Sequence, residues 1–183
     1  MRLFFAVKIP DTLKTQLAGF VGNLSSMPGK VKWVEPGNMH LTLKFLGETS
    51  PDLLADLKAA GEETAAEFKP FSVVVSGCGA FPNLRSPRVF WVGIDDDEKR
   101  LQSLQKNLDY RLGQLGFERE AKKYSPHLTV GRVKDRGGLG QLTEAFSRAE
   151  FPPVRVEVAD FFLIESKLRP TGPIYADLLR FPF

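Results

Sequence analysis

The sequence predicts an α+β fold: two pseudo-symmetric lobes, each an antiparallel sheet with helices, around a central cleft. Three observations predict it. Segments with the two-residue period of strands interchange with segments of helical period along the chain. The order of these segments occurs twice. Both histidines of the 183-residue chain, His40 and His127, open the same tripeptide, His-Leu-Thr, at matching places in the two halves.

Arg2-Leu-Phe-Phe-Ala-Val-Lys and Arg88-Val-Phe-Trp-Val-Gly-Ile are short runs of β-branched, aromatic and other apolar residues, and each predicts a strand. Each leads into residues spaced by three and four. The first set is Leu13, Leu17, Phe20, Val21 and Leu24; the second is Leu101, Leu104, Leu108, Leu112 and Leu115. That spacing puts each set on one helix face. A loop follows, then His-Leu-Thr. The interval from Arg2 to His40 matches the interval from Arg88 to His127 within one residue.

After each histidine segment comes a second helix. Ser50-Pro51-Asp52 supplies a cap and an N-terminal proline for a helix over 50–68, with Leu53, Leu57, Ala60 and Phe68 roughly on one face. Residues 138–149 carry Leu139, Leu142 and Phe146 as a shorter counterpart. Phe71–Ser76 and Val154–Ala159 predict the strand that ends each half, and a last strand lies near 173–181. Residues 77–87 are turn-rich but separate no regions of different composition. The expected organisation is one bilobal domain over 1–183, with an internal repeat of approximately 2–80 and 88–165.

Hydrophobic residues make up 43% and charged residues 26%, the balance of a globular chain rather than a disordered one. No apolar run approaches the roughly 18 residues of a membrane span, so no membrane partner is expected. The start has only five apolar residues in a row before Lys8, too few for a signal-peptide core. Cys78 is the single cysteine, which gives no internal disulfide and no support for secretion. A cytoplasmic location is expected. Two histidines and one cysteine argue against a zinc site, so no metal or other cofactor is expected. The net charge of +3 is mildly basic and by itself selects no partner.

In a strand, side chains at i and i+2 share a face. His40 and Thr42 then share one face, opposite Leu41, Leu43 and Phe45; His127 and Thr129 share another, opposite Leu128 and Val130. The apolar faces enter the core, and the His/Thr faces look into the cleft. One histidine on a strand is ordinarily structural. Two in the same tripeptide, exhausting the chain's histidines, point to catalysis. An imidazole near pKa 6.5 can take a proton while its partner gives one. Two hydroxyls can donate to an oxyanion, and phosphoryl oxygens suit them. An acid and a base on opposite sides of phosphorus fit the opening of a phosphodiester, above all a strained cyclic one. The near-identity of the two motifs leaves acid and base unassigned.

The chain resembles the two-histidine (2H) phosphoesterases, and within them the RNA 2′,3′-cyclic phosphodiesterases, also called 2′-5′ RNA ligases. The residues that carry the resemblance are Arg2-Leu-Phe-Phe-Ala-Val, Asn38-Met-His-Leu-Thr-Leu-Lys-Phe-Leu-Gly47, Pro87-Arg-Val-Phe-Trp91, Pro126-His-Leu-Thr-Val-Gly-Arg132, Phe162-Leu-Ile-Glu-Ser-Lys167 and Gly172-Pro-Ile-Tyr175. The resemblance implies two α+β lobes about a cleft. It implies hydrolysis of an RNA terminal 2′,3′-cyclic phosphate to a 2′-phosphomonoester, with His40 as proton donor to the leaving 3′-oxygen and His127 as the base that activates water. Thr42 and Thr129 would bind the phosphate. The implied partner is RNA with a cyclic phosphate end or a cyclic nucleotide, acted on by a monomer in RNA processing. Alternatives are a 2′-5′ RNA ligase using the same site, a hydrolase of small cyclic mononucleotides, and an RNA-end-binding module without turnover.

Other residues have both a functional and a structural reading. Arg132 fits a phosphate clamp or a solvated surface cation; strand parity turns it away from His127 unless a bulge intervenes. Lys44 shares the parity of His40 and is placed toward the RNA backbone, against solvation alone. Phe81 would stack on a base or fill the core. Arg119, Lys122 and Lys123 would steer RNA or form a solvated edge. Asp95-Asp-Asp-Glu98 reads as the cap of the following helix rather than a metal site.

Overall fold

The computed structural model describes residues 1–170 and 172–183. Nine strands and four helices occur among the described residues, in the order β1 (Arg2–Lys8), α1 (Asp11–Ser25), β2 (Lys30–Trp33), β3 (His40–Glu48), α2 (Leu54–Ala65), β4 (Phe71–Phe81), β5 (Val89–Asp95), α3 (Arg100–Gln114), β6 (His127–Asp135), α4 (Gly140–Arg148), β7 (Val154–Val158), β8 (Asp160–Arg169) and β9 (Gly172–Pro182). Strands run in the order β7-β4-β5-β6-β3-β1-β8-β9, with β2 added beside β6. All pairings are antiparallel. One lobe holds β1, β3, β8 and β9, the other β2, β4, β5, β6 and β7. The lobes join where Leu41 of β3 meets Leu128 of β6.

The helices form where the spacing predicts them. Leu13, Leu17, Val21 and Leu24 are the buried face of α1, and Leu101, Leu104, Leu108 and Leu112 that of α3. Ser50 accepts from the Asp52 amide at 3.3 Å, but caps a single 3₁₀ turn that leads into α2. Asp96 takes the capping role expected of the acidic run, accepting from the amides of Arg100 (2.8 Å) and Gln102 (3.0 Å). Two strands, β2 and β8, lie outside the segments whose pattern predicts strands, and β4 extends into the turn-rich stretch as far as Phe81.

The lobes do not coincide with the halves of the sequence. β4, which ends the first half, pairs with β5 of the second; β8, near the end of the second, pairs with β1 of the first. The first helices cross over as well: α1 packs on α4, and α3 packs on β3 and α2. The lobe of β1 and β3 therefore takes β8, β9 and α3 from the second half, and the lobe of β5 and β6 takes β2, β4 and α1 from the first. The main hydrophobic cluster runs through both lobes. A smaller one, Phe4, Ala6 and Ile164 with Phe162 and Tyr175, lies on the opposite face of β1 and β8. No helix among the described residues is long and apolar enough to cross a membrane.

Candidate active site

Because β3 and β6 run antiparallel through Leu41 and Leu128, the register carries His40 toward Thr129 and Thr42 toward His127. The two motifs thus interleave. The two imidazoles are held alike. Nδ1 of His40 lies 2.8 Å from the Asn38 carbonyl, and Nδ1 of His127 lies 2.8 Å from the Ser125 carbonyl. A carbonyl only accepts, so each Nδ1 carries the proton and each neutral ring presents a basic Nε2. That tautomer is the one proton transfer at Nε2 needs. Burial pushes both histidines below the usual imidazole range, the carbonyl contact partly restores them, and the nearby Arg132 guanidinium lowers both further.

Their surroundings differ. The His40 ring packs on Phe4 (4.8 Å between centroids) and on the edge of Tyr175 (5.3 Å). Asn38 is itself tied to the β9 end, its amide donating to the Pro173 carbonyl at 3.1 Å. The His127 ring meets the edge of Phe81 at 4.9 Å, and Phe81 leans on Trp91 at 5.3 Å. Gly79 leaves the space that the Trp91 ring occupies, since a Cβ there would collide with it. Tyr124 bridges the motifs: its hydroxyl donates to the Thr42 carbonyl at 2.8 Å.

A cavity of about 940 Å³ opens beside His40, lined by Thr42, Thr129, Arg132, Phe45, Arg2 and Tyr175 among others. Both threonines, His40 and Arg132 are thus brought together, with His127 at the adjoining position on β6. Among the described residues, no group of three or more His, Cys, Asp or Glu is placed to hold a metal ion.

Arg132 reaches this cavity through a bulge. Thr129 pairs with Trp91 and Gly131 with Phe90, which leaves Val130 as an extra residue and returns Arg132 to the Thr129 face. β3 has the same irregularity. Thr42 pairs with Ala6 and Lys44 with Phe5, which leaves Leu43 extra. The expectation for Lys44 is corrected by that bulge. It turns Lys44 into the core, 4% exposed, where its ammonium meets Asp109 at 2.7 Å and the Glu118 carbonyl at 2.5 Å. It cannot meet RNA there. Phe45, expected in the core, instead lines the cavity at 49% exposure with the Arg2 guanidinium 5.0 Å above its ring. Phe81 contacts a histidine ring and is only partly buried. Arg119 pairs with Asp109 at 3.6 Å, away from the cavity lining.

Sequence reasoning gives no role to Tyr175, Arg2 or the Tyr124 bridge. For Tyr175 and Arg2 a signal exists, since both lie in segments that carry the family resemblance. For Tyr124 none does, because it acts across a long-range contact.

A family model described as the 2′-5′ RNA ligase superfamily matches residues 5–169. Over 179 residues the chain is 41% identical to the RNA 2′,3′-cyclic phosphodiesterase of Archaeoglobus fulgidus, covering 97% of this chain and 98% of that one. It is 36% identical over 181 residues to the protein of the same name from Methanothermobacter thermautotrophicus, covering 97% and 96%. Among solved structures it is similar to TT0787 of Thermus thermophilus (TM-score 0.78, 30% identity, covering 100% and 97%). It is also similar to E. coli LigT complexed with 3′-AMP (TM-score 0.75, 25% identity, covering 99% and 97%). With two His-x-Thr strands interleaved at one cleft and a match along nearly its whole length, the chain belongs to the 2′-5′ RNA ligase superfamily of two-histidine phosphoesterases.

Proposed function

We propose that this chain is an RNA 2′,3′-cyclic phosphodiesterase that opens the terminal cyclic phosphate to a 2′-phosphomonoester. The observation that carries the reading is the matched pair of imidazoles, each donating from Nδ1 to the carbonyl two residues before it. Water attacks phosphorus and yields its proton to Nε2 of His127. The bond from phosphorus to O3′ breaks, and protonated His40 gives its proton to O3′. The Thr42 and Thr129 hydroxyls and the Arg132 guanidinium hold the non-bridging oxygens, where charge builds as water adds. The spent proton pair is reset through solvent, so the mechanism needs no metal or other cofactor.

The cavity supports this assignment of acid and base. A cyclic phosphate keeps both its leaving oxygen and its nucleoside on one side of phosphorus. Room lies beside His40, whereas Phe81 closes on His127. Nucleoside beside His40 and water beside His127 is the arrangement that fits. The family description supports a second reading: joining, with an RNA 5′-hydroxyl in place of water, in the same site. Both readings treat the chain as one bilobal unit in the cytoplasm, acting as a monomer on RNA ends.

The test is a short RNA ending in a 2′,3′-cyclic phosphate, incubated in EDTA with the intact protein and with His40→Ala. A 2′-phosphate product that disappears in the variant is expected. A 3′-phosphate product, loss of turnover on chelation, or equal rates in the two proteins overturns the reading.

A further inference from the structure

The cavity continues past the reacting point. Beyond Arg132 it follows the β2–β6 ribbon and the facing end of the β8–β9 hairpin. Lys32 stands directly across from Arg132 in that ribbon. Two like charges as cross-strand neighbours destabilise a sheet. Lys134 lies two residues past Arg132 and lines the same cavity. No carboxylate lies within ion-pair distance of these three cations among the described residues, whereas Lys30, at the far end of β2, meets Asp135 at 3.3 Å. Glu35 is the one carboxylate among the lining residues. On the facing hairpin, Leu168 and Ile174 are 64% and 53% exposed and also line the cavity.

A single phosphate held by Arg132 leaves Lys32 and Lys134 unneutralised. Residues two apart on a strand are spaced by about 6.5–7 Å. That spacing suits the successive charges of an extended nucleic acid strand better than one small anion. Exposed aliphatic side chains opposite such a row offer apolar surface against which base faces can be buried without reading their sequence. A cyclic phosphate ends its chain, so the only polymer left to bind lies on the 5′ side.

We propose that the β2–β6 ribbon and the β8–β9 hairpin form a second subsite, which holds the RNA strand immediately 5′ of the reacting end. Lys32 and Lys134 take its phosphates, and Leu168 and Ile174 cover its bases. The preferred substrate is then an oligoribonucleotide rather than a free cyclic mononucleotide. This inference rests on the cyclic-phosphate reading of the His/Thr site.

The test compares kcat/KM for a 2′,3′-cyclic mononucleotide with that for di-, tri- and hexanucleotides of the same 3′ end, at several salt concentrations. The intact protein is set beside a Lys32→Ala/Lys134→Ala variant and the two Gln single variants. The expected result is a kcat/KM about tenfold or more higher for the trinucleotide than for the mononucleotide. That ratio falls toward one in the double variant, and its log–log salt slope becomes shallower by about 0.7 for each lysine removed. Equal rates on all four substrates overturn the subsite while leaving the cyclic-phosphate reading intact. So does an equal loss on mononucleotide and oligonucleotide in the variants. Failure of the intact protein to open any of the four overturns the reading of the His/Thr site, and the subsite with it.

Discussion

Strands β3 and β6 are the same strand until the bulge and different strands after it. In each, a histidine bonded to the carbonyl two residues earlier is followed by a buried leucine, a threonine on the cleft face and one extra residue. The next two positions diverge. The core-side position is Lys44 on β3, paired with Asp109, and Gly131 on β6, where Trp33 and Val31 fill the space a side chain would need. The cleft-side position is Phe45 on β3 and Arg132 on β6. The symmetry therefore covers the two imidazoles and the two threonines and stops at the cleft wall beyond them, where one strand presents an aromatic ring and the other a guanidinium. Proton transfer needs two equivalent imidazoles. An RNA end has a charged side and an apolar side, and two identical walls would not match it.

The most severe way to break the comparison is at the histidines. His40→Ala and His127→Ala are each expected to lower kcat/KM by about 10²–10⁴-fold, and the double variant by little more than the worse single one, because the pair acts as a unit. Near-normal rates in either single variant would end the equivalence of the two strands.

The core-side position comes next. Lys44→Ala leaves Asp109 buried without its ammonium and is expected to cost about 3–5 kcal/mol of unfolding free energy in urea titration. Gly131→Ala, at the equivalent position, places a Cβ 2.9 Å from Trp33 and Val31 and is expected to cost less, about 1–3 kcal/mol. A reversed order would show that the close packing at Gly131 outweighs the buried Lys44–Asp109 pair.

At the cleft-side position, Arg132→Gln removes a charge-assisted contact and is expected to raise KM for the cyclic phosphate about tenfold or more. It also removes the cation that lowers both histidines, so both limbs of the kcat/KM profile should move to higher pH. A change in one limb alone would assign Arg132 to one histidine.

The smallest effect is on stability. Both folded-state histidines lie below the unfolded value near 6.5, so the native state binds protons less readily than the unfolded chain. Stability is then full above about pH 6.5 and declines as pH falls through the folded values. Each histidine-to-alanine variant should flatten that decline, which melting curves between pH 7.5 and about 5 would reveal.

Much of this is legible in the sequence because it is local. The helical faces of α1 and α3, the cap at Asp96 and the two His-x-Thr strands all follow from spacing within a few residues. Two-residue parity puts Lys44 and Phe45 on the wrong faces because it does not survive a bulge, and Leu43 looks like any strand residue. The same device brings Arg132 into the cavity on β6. The exchange of β4 and β8 between halves leaves no trace either, since an apolar strand pairs as well with one neighbour as with another until the whole sheet is assembled.

That exchange also bears on synthesis. A ribosome delivers the first half long before the strand that completes its lobe. β1 and β3 must wait for β8, and His40 gains the Tyr175 edge only when β9 follows. Until then the cleft-side faces of Phe4 and Ala6 remain uncovered. The nascent chain therefore carries a histidine strand without a working site. A chain truncated before β8 would lack the strand that pairs with β1 and would display an open sheet edge, a template for unwanted pairing.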